Sequence, residues 1–167
     1  MLQCRVIIVL FGVSGAGKTT LGRLLAAELG WRFYDGDDFH PAPNIEKMRR
    51  KVPLGDTDRA PWLETLRALI AKCIAAGENA VLACSALKES YRRLLTIDPD
   101  EVKLVYLKGD YALLEERMKS RRGHFMKPQL LNSQFASLEE PQGNATVVEV
   151  DQTPAAIIKQ IRRALNL

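Results

Sequence analysis

Val6-Ile7-Ile8-Val9-Leu10-Phe11, followed directly by Gly12-Val13-Ser14-Gly15-Ala16-Gly17-Lys18-Thr19, is the stretch that decides the fold. An unbroken β-branched and apolar run is the pattern of a strand buried on both faces of a parallel sheet. The residues after it match G-x-x-x-x-G-K-[ST], and Leu21, Leu24, Leu25 and Leu29 then recur at helical spacing from Thr19 until Gly30 stops the pattern. Strand, glycine loop and helix in that order form the context in which this motif acts as a phosphate-binding P-loop. Glycines let the backbone curl so that successive N–H groups and the helix N-terminus face phosphate oxygens. Lys18 reaches the terminal phosphates and the Thr19 hydroxyl ligates Mg²⁺. The stretch therefore predicts binding of a nucleoside triphosphate with magnesium.

Outward from this point the chain alternates strand and helix. Trp31 to Tyr34 reads as a short second strand ending in Asp35-Gly36-Asp37-Asp38, and Asn44 to Lys51 as a basic helix. After a Pro/Gly/Asp loop, Pro61 is predicted to open a long helix, with Asp58 upstream as its cap and Gly77 as its stop. Strands follow at Ala80–Cys84, Val102–Leu107 and Thr146–Val150, and helices at Lys88–Leu95, Tyr111–Ser120 and Pro154–Leu165. Such alternation predicts an α/β fold: a three-layer P-loop NTPase architecture with a five-stranded parallel sheet and helices on both faces. Ligands then sit at the carboxyl ends of the strands.

Composition narrows the function classes. The 167 residues are 47% apolar and 26% charged, values of an ordinary folded domain, so fibrous and disordered classes are excluded. The apolar run at Val6–Phe11 is far shorter than the roughly 20 residues that span a bilayer, and it leads into a structural motif rather than a cleavage site. No membrane association is expected, and a cytoplasmic location is. Cys4, Cys73 and Cys84 lack the close spacing of a metal or redox site and read as reduced thiols. Lys and Arg exceed Asp and Glu by 24 to 20, a balance that suits an anionic ligand. No aromatic residues interleave with the basic ones as stacking platforms, which argues against nucleic acid as a partner. An N-K-x-D guanine motif is also missing, so a GTPase switch is disfavoured.

The acidic and basic clusters point to phosphoryl transfer to a small acceptor. Asp35 and Asp37 stand two residues apart at a strand terminus, so both carboxylates are expected on the loop face. One would serve the magnesium shell and the other would accept a proton from an acceptor hydroxyl. Without a cation between them, their repulsion would raise one pKa. His40 reads as a hydrogen-bonding loop residue rather than a base. Lys47, Arg49, Arg50, Lys51 and Arg59 form a first basic cluster, placed to hold an anionic acceptor, with Lys51 reading as part of a solvated face. Arg117, Lys119, Arg121, Arg122, His124 and Lys127 form a second, suited to a mobile lid closing over the transferring phosphate.

The segments Asp35-Gly36-Asp37-Asp38-Phe39-His40-Pro41, Asn44, Lys47-Met48, Asp58-Arg59, Pro61-Trp62-Leu63, Ala83-Cys84-Ser85-Ala86-Leu87-Lys88, Tyr91-Arg92 and His124-Phe125-Met126 resemble the gluconokinases. So do Leu130-Leu131, Ser133-Gln134 and Leu138-Glu139. These are small P-loop kinases related in fold to shikimate and adenylate kinases, and the likeness runs in order along nearly the whole chain. It implies one domain over residues 1–167, an acceptor-binding segment near 36–62 and a lid near 119–140. It further implies transfer of the ATP γ-phosphate to the 6-hydroxyl of D-gluconate, with Mg²⁺, and is compatible with a homodimer.

Carried over by position, Gly12, Val13, Ser14, Gly15, Ala16, Gly17, Lys18, Thr19 and Thr20 would bind nucleotide, with Arg117 beside them. Thr19 and Asp35 would serve the metal. Lys18, Asp37 and Arg121 would be catalytic, with Asp37 as the base. Arg59 and one of Arg49 or Arg50 would hold gluconate, Asp37, Ser85, Lys88 and His124 would face it, and Arg117, Arg121 and His124 would belong to the lid and adenine side. The chain departs from the family pattern at Lys51, where Gly is usual, at Arg93, where an acidic residue is usual, and at Ala16 and Thr19, which replace serines.

Overall fold

A computed structural model describes residues 5–120 and 128–167 of the chain. Five strands, β1 (Ile7–Phe11), β2 (Arg32–Asp35), β3 (Ala80–Ala83), β4 (Val102–Lys108) and β5 (Thr146–Glu149), form one parallel sheet in the order β2-β3-β1-β4-β5. Helices α1 (Lys18–Leu29), α2 (Ala42–Arg49), α3 (Asp56–Ala76), α4 (Glu89–Leu95), α5 (Tyr111–Ser120), α6 (Pro128–Ser137) and α7 (Pro154–Ala164) connect and cover it. The parallel α/β architecture expected from the alternation is present.

The apolar run of β1 shows why it must be central. Ile8 and Leu10 enter one core with Leu21 and Leu25 of α1 and Ile157, Ile158 and Ile161 of α7. Ile7, Val9 and Phe11 enter the other, with Trp62, Leu66 and Ile70 of α3 and Leu95 of α4. Each such side chain removed from water contributes roughly 1.5–3 kcal/mol, so a strand feeding both cores is fixed from two sides. Because β3 and β4 flank β1, the loop after β1 stands where the strand order reverses, the place at which open α/β sheets bind ligands.

Three elements differ from the sequence expectation. Helix α3 starts at Asp56, five residues before Pro61, which lies within it. Gly55 is the N-cap, Asp58 Oδ2 accepts the Gly55 N–H at 3.0 Å, and the acidic Asp56 and Asp58 suit the positive end of the helix dipole. Pro61 removes only one intrahelical bond near the start of a 21-residue helix, and packing of Trp62, Leu63 and Leu66 outweighs that loss. Helix α2 begins at Ala42 rather than Asn44, with Pro43 tolerated in its first turn. Helix α6 has no counterpart in the sequence reading; its Leu131 is buried, and Phe135 packs beside Tyr111 with ring centroids 5.6 Å apart. Smaller shifts move β2 to include Asp35 and turn Gly36–Phe39 into a 3-10 turn. Among the described residues no helix is long and apolar enough to cross a membrane.

Candidate functional site

The loop between β1 and α1 is held open by close backbone contacts. Gly12 has φ 152°, and a Cβ there would stand 2.7 Å from the Leu107 carbonyl oxygen of β4, so no other residue fits. Val13 and Ala16 are buried in the core, and the Ala16 N–H donates to the Val13 carbonyl at 3.3 Å, which fixes the turn of the loop. Lys18 opens α1 and its Nζ donates to the Gly12 and Val13 carbonyls at 2.9 and 3.1 Å, which keeps the ammonium over the loop. Thr20 is exposed on the first turn.

Thr19 and Asp35 meet directly. The Thr19 Oγ1 donates to Asp35 Oδ2 at 2.8 Å, while Asp35 Oδ1 accepts the Asp37 N–H at 3.0 Å and caps the 3-10 turn. A hydroxyl and a carboxylate side by side next to a phosphate loop are hard oxygen donors of the kind Mg²⁺ takes, with its remaining positions left to water and phosphate. The residues present therefore fit the metal.

Asp37 leaves on a different course and enters a cavity of about 510 Å³. Lys18 and Ser14 border the cavity on the nucleotide side, and His40, Arg59, Trp62 and Ser85 on the other, with Met48, Lys51, Val52, Pro53, Leu54 and the α6 residues Gln129, Leu130, Ser133 and Gln134 completing it. The Asp37 carboxyl lies below its ordinary range, chiefly through His40 and further through the charge of Lys18. The repulsion expected from Asp35 does not raise it. Gly36, between the two carboxylates, lets the turn approach β3; a Cβ there would stand 2.8 Å from the Ala83 carbonyl oxygen. Cys84, at the end of β3, is buried and its thiol is pushed up to about 12 by desolvation, so it is an inert packing residue.

Of the expected acceptor cations, Arg59 lines the cavity, and so does Lys51, which the sequence reading assigned to a solvated face. The Arg59 Nε is enclosed and finds no acceptor among the described residues, while the guanidinium lies 5.8 Å over the Tyr91 ring. Arg49 is exposed and paired with Glu46 at 3.3 Å, and Arg50 is exposed at the end of α2; neither lines the cavity. Lys47 is committed to Asp58 at 2.7 Å. Lys88 does not line the cavity either: its Nζ donates to Asp56 Oδ1 and Oδ2 at 2.8 and 3.0 Å, and the Tyr91 hydroxyl donates to the same carboxylate. Those bonds, Lys88 first, hold Asp56 below its ordinary range, while burial and the bond to Asp56 push the Tyr91 hydroxyl up to about 12. The resulting Asp56–Lys88–Tyr91 clamp backs Arg59 rather than facing the cavity. Lys51 takes φ 60°, a backbone that favours glycine, at the position where the family pattern has Gly.

Arg117 donates to the Val150 carbonyl beyond β5. Arg121 and His124 lie outside the described residues, as does the stretch 121–127 of the expected lid. The sequence reading placed the residues of α6 in the lid and gave Gln134 no role of its own, yet Gln134 Oε1 accepts the Ser14 N–H at 2.6 Å and so sits against the phosphate loop. The spacing Leu131, Phe135 and Leu138, at i, i+4 and i+7, carries the helical signal there.

Known proteins resemble the chain along most of its length. A family model described as shikimate kinase matches residues 14–165. A probable gluconokinase of Mus musculus is 42% identical over 179 residues, covering 96% of this chain and 97% of its own. The thermosensitive gluconokinase of Escherichia coli K12 is 42% identical, covering 94% of this chain and 86% of its own. The crystal structure of a gluconokinase from Sinorhizobium meliloti 1021 superposes with a TM-score of 0.84 at 41% identity, covering 98% of this chain and 95% of that one.

Proposed function

The chain belongs to the gluconokinase family, and from that membership we propose that it transfers the γ-phosphoryl group of ATP, with Mg²⁺, to the 6-hydroxyl of D-gluconate. The observation that carries this reading is the single cavity bordered at once by Lys18 of the phosphate loop, the carboxylate of Asp37 and the guanidinium of Arg59. These are the three charges that transfer to a hydroxy acid requires.

Bound ATP and Mg²⁺ supply the phosphoryl group and neutralise its oxygens. Backbone N–H groups of the loop and the N-terminus of α1 hold the phosphates, and Lys18 stabilises the charge that develops as the terminal P–O bond breaks. Thr19 and Asp35 would hold the metal. Arg59, whose Nε lacks a protein acceptor among the described residues, receives the gluconate carboxylate. Asp37 accepts the proton as the acceptor oxygen bonds to phosphorus. Ser85, at the end of β3, offers a hydroxyl to the sugar acid chain. ATP and a sugar acid are cytoplasmic substrates, and we place the reaction there.

A panel of acceptors with ATP consumption as readout tests this. D-gluconate alone is expected to be turned over. Turnover with shikimate or nucleoside monophosphates in its place would assign the chain to a different kinase.

A further inference from the structure

His40, in the cavity wall, is hydrogen-bonded to Asn44 behind it and faces Asp37. Asn44 is 2% exposed, and its Nδ2 donates to the Asp58 carbonyl at 2.8 Å. Only the amino group can make that bond, so the orientation of the Asn44 amide is fixed. The same Nδ2 lies 3.3 Å from His40 Nδ1. Its second hydrogen is then directed at Nδ1, which must present a lone pair, and the proton of the neutral imidazole resides on Nε2.

His40 Nε2 faces Asp37 Oδ1 at 3.7 Å. The two side chains differ sharply in exposure, 5% for His40 and 79% for Asp37. His40 also stacks on Trp62, with centroids 4.3 Å apart and planes within 16°, and the Trp62 Nε1–H is anchored on the Gly36 carbonyl at 2.7 Å. A rigid donor therefore stands behind an exposed carboxylate. Their separation exceeds a hydrogen bond, and a small rotation of the Asp37 side chain closes it, as catalytic contacts tighten when substrate binds.

We propose that His40 is a positioning residue for phosphoryl transfer, its Nε2–H tautomer selected by Asn44 and aimed at one oxygen of Asp37 so that the other is turned toward the acceptor hydroxyl. This rests on the reading of Asp37 as the base of a gluconate kinase. Asn44 then acts through His40, and His40 through Asp37.

Two measurements on the full chain test it. Long-range ¹H–¹⁵N spectra, taken where the rings are neutral, should show His40 with a protonated Nε2 and a bare Nδ1; the chain has only two histidines, and His40→Gln identifies the signal by its loss. In steady-state assays with gluconate, His40→Asn should lower kcat by about tenfold. His40→Gln, whose amide nitrogen reaches the Nε2 position, should stay within about threefold, with the ATP KM unchanged in both. A wild-type spectrum with Nδ1 protonated overturns the proposal even if the variants do not fold. Equal losses in both variants, or no loss in either, also overturn it. Failure of the wild-type enzyme to phosphorylate gluconate sinks the assigned reaction instead, while the spectrum still decides the tautomer.

Discussion

The two halves of the site are built by different means. The nucleotide half is nine consecutive residues, Gly12 to Thr20, and its working atoms are mostly backbone N–H groups fixed between a buried strand and a helix. The acceptor half gathers side chains from the 3-10 turn, the segment around α2, the start of α3, the end of β3 and helix α6, from Asp37 to Gln134. A backbone-built site depends less on its side chains, because the core that buries Val13 and Ala16 holds its path. A side-chain-built site owes its selectivity to which charges remain uncommitted after the protein has paired the rest. Arg49, Lys47 and Lys88 have carboxylate partners, whereas the Nε of Arg59 has none among the described residues.

Substitutions should expose this contrast, the strongest first. Lys18→Ala is expected to lower kcat by about 10⁴ or more, with melting temperature and circular dichroism close to wild type, because its side chain serves the loop rather than the core. Near-normal turnover would show that the nucleotide half works without its one catalytic side chain. Asp37→Asn keeps the shape and removes the proton acceptor, so kcat should fall by roughly 10²–10⁴ with nucleotide affinity little changed. Asp35→Asn should instead alter the Mg²⁺ dependence, and a magnesium titration of both variants would reveal a reversal of the two roles.

Arg59→Lys should raise the gluconate KM by about tenfold and the ATP KM by less than about twofold, since an ammonium cannot reproduce bidentate pairing. Equal effects on both substrates would relocate the carboxylate. The smallest effect is expected where the halves touch. Gln134→Leu frees the Ser14 N–H from a neutral hydrogen bond worth about 1 kcal/mol, so ATP should bind roughly fivefold more tightly by titration calorimetry. Weaker binding would mean that Gln134 supports the loop in its nucleotide-bound form.

The same contrast explains what could be read from the sequence. Strand β1, the phosphate loop and α1 were legible because their geometry follows from neighbouring residues. Asp37, Arg59 and Ser85 were placed by motif and do line the cavity. Arg49 stands off the cavity wall and pairs with Glu46 three residues before it on the same helix face, a pairing that sequence alone announces. Lys88 could not be judged that way, because its partner Asp56 is distant in the chain and meets it only through the packing of α3 on α4. The start of α3 was missed because Pro61 also fits a first helical position, and the Asp58 carboxylate that caps the earlier start acts through a single bond to Gly55. Helix α6 was missed because its apolar spacing follows a basic stretch that reads as a loop.

The central claim is that the acceptor half presents the 6-hydroxyl of gluconate, carboxylate first against Arg59, to the nucleotide half. The ³¹P spectrum of the product formed from ATP and D-gluconate tests it most directly. The account predicts a phosphomonoester signal split by the two protons of the terminal C6 methylene. A signal split by one proton, from a phosphate on an interior carbon, or inorganic phosphate alone, would contradict it.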